Sequence, residues 1–222
     1  MTVFEEKVPV KDKISLGLLL EYHKATWPLM CVVCWYTSPC VDGVRMSLMT
    51  GMFSAYGILW ILKSSTFYDK KLYSQYDSMK QSVINYLSIS VYYLFPWIAS
   101  RNCFEISEFD ICTSILCYAV GSFLHYSADA QKFYTLKYKP NVLVYEDLFG
   151  YLQHPNYTGE FLIWFALAIV SNKFSVLSYV PIAWLYLITV LVGIPQKRNS
   201  MKRFPNYDEW SKNTYQLIPF VW

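Results

Sequence analysis

Charge is scarce in this chain. Only 16% of its 222 residues are Asp, Glu, Lys or Arg, against roughly 25% in soluble domains. There are 3 histidines and 8 glycines, and none of the histidines stands at metal-ligand spacing from another or from a cysteine pair, which argues against a zinc site. No GxGxxG follows a strand, so a Rossmann domain is excluded. No nucleophile elbow precedes a helix, which excludes that hydrolase class. The net charge of +3 comes without a basic patch outside the connecting loops, so no nucleic-acid partner is expected. The run from Ile14 to Leu20 is too short to span a bilayer and has no cleavage pattern after it, so no signal peptide is read. Glu5 and Glu6, without an arginine nearby, argue against a mitochondrial presequence.

What is abundant is apolar and aromatic: 55% hydrophobic and 19% aromatic residues. The expected fold class is an all-α polytopic membrane protein of about six spans. The apolar runs lie near 27–40, 44–63, 82–99, 109–126, 159–171 and 174–194, several of them below the roughly 20 residues a perpendicular helix needs. Residues 1–26 are expected as an N-terminal segment and 27–222 as a single transmembrane domain. Lys plus Arg number 4, 4, 3 and 5 in the segments 1–26, 63–81, 127–158 and 195–222. With six spans these all fall on one side, the cytoplasmic or matrix side by the positive-inside rule. Pro96 and Pro181 predict kinked spans, and Trp27, Trp35, Trp60, Trp97, Trp164 and Trp184 suggest interfacial anchoring. Cys31 and Cys34 read as packing residues. Cys40 and Cys103 map to the non-cytoplasmic face, where they can pair.

Polar residues cluster in two places. His125, Asp129 and Lys132 are spaced to share one face of a helix that continues past residue 126, with Lys137 and Lys139 extending a basic surface toward phosphates. Gly150-Tyr-Leu-Gln-His-Pro-Asn-Tyr-Thr-Gly-Glu160 then runs straight into an apolar stretch. Polar groups at the mouth of a membrane segment are functional candidates by default. Pro155 fits a first helical turn, and a helix starting there puts Asn156 and Glu160 on one face. The plainer reading gives both residues to the helix start alone. In the tail, Lys197, Arg198, Lys202 and Arg203 precede Phe204 to Trp210, a mixture suited to an anionic cofactor or to anionic lipid.

Four blocks together resemble the membrane reductase superfamily of steroid 5α-reductases and sterol C-14 reductases: Tyr56 to Lys63 with Phe67-Tyr-Asp69, Gly121 to Lys132, Leu148 to Glu160, and Lys197 to Pro219. They cover most of residues 56–222. The resemblance implies an NADPH-dependent reductase of a lipid- or steroid-like carbon–carbon double bond, in the endoplasmic reticulum or, alternatively, the mitochondrial inner membrane. Its expected partners are membrane lipids and a hydrophobic small-molecule substrate. It places Asp129, His154, Asn156 and Glu160 around the cofactor, with Lys132 or Lys137 at the phosphates; it leaves the proton donor unassigned, for which Tyr157 and Tyr56 are the candidates. Trp60 stands where steroid 5α-reductases have a tyrosine, Gln153 where an arginine usually precedes His-Pro, and Arg198 where an acidic residue is common. Those departures suit an alternative, a non-catalytic reductase-like subunit of a multi-subunit membrane assembly, for example a respiratory one, with no cofactor. The His-Pro-x-Tyr-x-Gly core is also similar to isoprenylcysteine carboxyl methyltransferases and phospholipid methyltransferases, which implies an S-adenosylmethionine-dependent alternative.

Overall fold

A computed structural model describes residues 13–40 and 43–218. Glu5, Glu6 and residues 219–222 of the tail lie outside the described residues. The chain is mostly helical and divides into two compact units.

The first unit holds residues 1–111 together with Leu167–Ser178. A short ribbon pairs β1 (Lys13–Ser15) with β2 (Tyr76–Ser78), Ile14 opposite Asp77. Five α-helices lie between or directly after these strands: α1 (Leu16–Ala25), α2 (Trp27–Tyr36), α3 (Gly43–Thr66), α4 (Lys70–Ser74) and α5 (Met79–Ile89), with α6 (Leu94–Arg101) following. Several starts are capped as their sequences imply: Ser15, Asp69 and Ser78 each accept a backbone N–H two or three residues on. The core is aromatic. Trp27 stacks on Phe53 with ring centroids 4.0 Å apart and on Tyr56 at 5.5 Å, all three rings fully buried. Buried Arg45 donates to the carbonyls of Val170 and Phe104 at 2.6 and 2.8 Å, and Asn102 donates to Ser171 O at 3.0 Å. The bonds to Val170 and Ser171 satisfy carbonyls in the last turn of the helix ending at Asn172, which have no partner within their own helix. Cys40 and Cys103 form a disulfide across Cα atoms 4.9 Å apart, as their mapping to one face allowed, while Cys31 and Cys34 are buried free thiols.

The second unit holds Cys112–Ala166 and Tyr179–Trp222. It contains most of α7 (Glu108–Tyr138), the first two thirds of α8 (Pro155–Asn172), and α9 (Val180–Tyr186), α10 (Ile194–Met201) and α11 (Tyr207–Lys212). A π-helical stretch, Leu187–Gly193, joins α9 to α10. α7 and α8 cross at two glycines: a Cβ on Gly121 would come within 2.7 Å of Gly159 O, and a Cβ on Gly159 would meet Gly121 O and the backbone of His125. Such close backbone approach is what small residues permit between membrane helices.

Among the described residues, three stretches are long and apolar enough to cross a membrane: Met79–Arg101, Glu108–Tyr138 and Val176–Met201. They overlap the runs expected at 82–99, 109–126 and 174–194. The other expected spans take shorter or more polar forms. α2 has 10 residues, about 15 Å of helix, and α8 spends its first six positions on Pro-Asn-Tyr-Thr-Gly-Glu. The expected kink at Pro96 appears upstream, as a 3₁₀ turn over Ser90–Tyr93, because the proline ring clashes with the carbonyl four residues earlier. Pro181 starts α9 instead of bending it. Interfacial anchoring does not hold for Trp27 and Trp164, which are fully buried; their rings fill the interior.

Candidate functional site

The second unit assembles a polar site around the start of α8. Pro155 opens the helix, as expected, and the carbonyl of His154 receives the N–H groups of Tyr157 and Thr158 at 3.0 and 3.1 Å. α7 continues as one helix to Tyr138, so His125, Asp129 and Lys132 do share a face. His125 Nδ1 lies 3.2 Å from the carbonyl of Asn156, which ties the two helices just beyond the glycine crossing.

Charge is distributed unevenly over this site. His154 is 3% exposed, and Lys197, Arg198 and Lys132 all act on it electrostatically. Burial first, then these three cations, hold its pKa down at about 3, so the ring is neutral. Asp129 and Glu160 face Tyr126 closely enough to interact with its hydroxyl. Three cations therefore act on His154, while two carboxylates act on Tyr126. Tyr157, in the first turn of α8, faces the start of α10: Lys197 Nζ sits 4.0 Å from its ring centroid, and its hydroxyl is close enough to Gly193 that a Cβ there would approach within 3.1 Å.

The tail is fastened to this region by paired contacts. Gln153 N donates to Tyr215 O at 2.8 Å and Tyr215 N returns a bond to Tyr151 O at 3.0 Å. The Gln153 side chain donates to Ser211 O and Thr214 O at 3.1 and 3.2 Å. Thr158 Oγ1 donates to Leu217 O at 2.6 Å, Arg198 to Gln216 at 2.8 Å, and Trp210 Nε1 to Phe149 O at 2.7 Å. Gln153, a departure at the position of an arginine, is here a structural tie.

Of the residues singled out from sequence, His154, Asn156, Tyr157, Glu160, Asp129 and Lys132 belong to this one neighbourhood. Lys137 does not join it through any contact described; it is exposed at the end of α7, its Nζ 5.6 Å from the Tyr138 ring. Tyr56 is fully buried in the first unit, between Trp27 and Trp60, with Lys24 Nζ 4.6 Å from its ring. The resemblance does not assign Lys197 and Arg198 to the site, yet both act on His154. The signal for them was the basic tail, which composition alone divides between cofactor and lipid.

The neutral state of His154 has a consequence for stability. Its folded pKa lies below the ordinary value near 6.5, so the folded chain binds fewer protons than the unfolded chain between about pH 6.5 and about 3. Stability is complete above that window and falls as pH drops through it. Buried His23, also lowered to about 3 by burial and then by Lys24, adds in the same direction. The thermal midpoint is expected to fall steadily from pH 7 to pH 4, and His154→Gln to flatten that slope when followed by intrinsic fluorescence.

Residues 42–214 match the model of a protein family described as a protein of unknown function, DUF1295. No curated protein matches the chain.

Proposed function

The chain belongs to the DUF1295 family, and from that premise we propose that it is a membrane-embedded, NADPH-dependent reductase of a carbon–carbon double bond in a lipid- or steroid-like substrate. The family is related to steroid 5α-reductase-like proteins. The observation that carries the reading is that Lys132, Lys197 and Arg198 all act electrostatically on His154, with Lys197 Nζ 4.0 Å from the Tyr157 ring, while Asp129 and Glu160 act on Tyr126. A dinucleotide needs both environments: cations for its phosphates and carboxylate or amide acceptors for ribose hydroxyls and the carboxamide. Lys132, Lys197 and Arg198 fit the phosphates, since charge-assisted bonds to phosphate are the strong ones. Asp129, Glu160 and Asn156 fit the hydroxyl and amide groups.

When bound, NADPH supplies the hydride. The chain's own part is to orient the cofactor, exclude water and deliver a proton to the second carbon, leaving NADP⁺ and a saturated product. Tyr157 is assigned that proton: the Lys197 ammonium over its ring stabilises a developing phenolate. The six-span topology, with the site on the cytoplasmic or matrix face, belongs to the same proposal. The Cys40–Cys103 disulfide supports it by calling for an oxidising compartment at its own face.

The test is binding before turnover. NADPH is expected to raise the thermal midpoint of the purified chain, and Lys197→Ala to weaken NADPH by about 10- to 100-fold, the range for a lost charge-assisted bond. Tyr157→Phe should keep NADPH binding and lose enone reduction. Protection by S-adenosylmethionine in place of NADPH would move the chain to methyl transfer. Protection by neither, with co-purification in a defined assembly, would make it a non-catalytic subunit.

A further inference from the structure

One end of the first unit is cross-tied through neighbouring chain segments. The disulfide joins Cys40 to Cys103, Arg101 donates to Thr37 O at 2.8 Å, and Asn102 donates to Ser171 O at 3.0 Å. The Arg45 guanidinium bridges Val170 O and Phe104 O, and Lys173 pairs with Asp110 at 2.9 Å. Two turns here repeat one device. Phe104 N–H bonds to Asn102 Oδ1 at 3.3 Å and Phe174 N–H to Asn172 Oδ1 at 3.0 Å, the side-chain oxygen taking the place of a backbone turn acceptor. Side chains thus hold the backbone, while large apolar side chains are left outside. Phe104 is 82% exposed and Phe174 86%, and Tyr36, Phe109 and Val176 are exposed on the adjoining residues of the same segments. Singly such residues need no explanation; five carried by one cross-tied framework mark an interaction surface.

Depth and charge decide what covers it. Arg101 ends one membrane-length stretch, Glu108 begins the next and Val176 begins a third. Phe104 and Phe174 therefore stand within a few residues of a span end. A chain covers at most about 3.5 Å per residue, which keeps both within about 10 Å of those ends. The polar layer beyond the hydrocarbon is itself about 5–7 Å deep on each side. Among the described residues of these segments, Arg45, Arg101 and Lys173 stand against Glu105, Glu108 and Asp110, so the charges cancel. A surface without net charge does little to steer a charged partner. What it offers is apolar area at headgroup depth.

We propose that this framework is a preformed anchor for the bilayer interface: Phe104 and Phe174 lie at the boundary of headgroups and acyl chains in the leaflet on the disulfide side, flanked by Tyr36, Phe109 and Val176, with no requirement for anionic lipid. The ties fix the backbone before the rings meet lipid, so less ordering opposes insertion. Each ring withdrawn from water favours the inserted position by roughly tenfold or more. Glu105 and Glu108 keep the insertion shallow, because a carboxylate is costly in hydrocarbon. The inference is independent of the reductase reading, since all of these residues belong to the first unit.

The experiment uses the full chain in phosphatidylcholine nanodiscs, with the fluorescent residue dansylalanine at position 104 or 174. A nitroxide on the acyl chain near the headgroup is expected to quench both positions strongly, and one near the bilayer centre weakly. Iodide in the buffer should quench them at least about tenfold less than the same residue at exposed Asn213. Adding phosphatidylserine or raising the salt concentration should change none of these values. Folding of each labelled chain is checked separately by intact mass, through the Cys40–Cys103 bond. Iodide quenching equal to that at Asn213 without quenching by lipid nitroxide would overturn the proposal, as would insertion that depends on phosphatidylserine. Protection from iodide in native membranes but not in nanodiscs would assign the surface to a protein partner and overturn the lipid anchor.

Discussion

Gly159→Val is expected to prevent the second unit from folding, giving a chain that aggregates in detergent where wild type elutes as a single species by size-exclusion chromatography. The atoms that a new Cβ would meet are Gly121 O and the N and Cα of His125, all backbone. A crowded side chain can rotate away, but a crowded backbone moves only if the helix moves with it. Shifting α7 from α8 also lengthens the 3.2 Å contact between His125 Nδ1 and Asn156 O, which holds the polar site together. Overpacking in a core typically costs about 1–3 kcal/mol. Two backbone clashes from a single atom place Gly159→Ala at or above the upper end of that range, and valine beyond it. Gly51→Ala is the contrasting case. A Cβ there has nothing within 4 Å, and Gly51 lies inside α3, so alanine should stabilise the chain by up to about 1 kcal/mol. Opposite signs for two glycine-to-alanine changes, read as thermal midpoints, would test the crossing itself.

The second large effect is the loss of the Cys40–Cys103 bond. The two cysteines are 63 residues apart in sequence, and closing a loop of that size removes unfolded-state entropy worth about 4 kcal/mol. Cys40→Ser/Cys103→Ser should lose most of that amount, and reductant should lower the wild-type midpoint while leaving the double variant unchanged. Local bonds soften the loss without replacing it: Ser38 donates to Ser100 O at 2.6 Å and Arg101 to Thr37 O at 2.8 Å, so the two chain segments stay adjacent once folded. Those bonds act on the folded state, whereas the disulfide restrains the unfolded one. Intact mass with and without reductant checks the pairing directly.

Local signals made part of this molecule legible in sequence. Pro155 announced the start of α8, the spacing of His125, Asp129 and Lys132 announced the extension of α7, and the placement of Cys40 and Cys103 on one face announced a bridge. What could not be read depends on contacts distant along the chain. Trp27 resembles an interfacial anchor until Phe53 and Tyr56 stack on it. Gln153 resembles a lost arginine until the carbonyls of Ser211 and Thr214 are seen to take its hydrogens. Lys197 and Arg198 belong with His154 only because the tail returns to α8. Helix breaks were legible in cause but not in place: Pro96 signalled one, and the irregular turn formed several residues before it. Span counting met the same difficulty, since apolar runs do not reveal that α2 stops after ten residues.

The bonds between the tail and Tyr151, Gln153 and Thr158 bear on the order of events during synthesis. Thr214 to Leu217 are translated after each of the apolar spans, so the spans can enter the bilayer while the segment that fastens His154 and Asn156 in place is still being made. Non-local pairings of this kind are the slow steps of folding. The site around His154 is thus completed only after the spans have been made, and nascent chains stalled before Thr214 should be inserted in the membrane with that region still open.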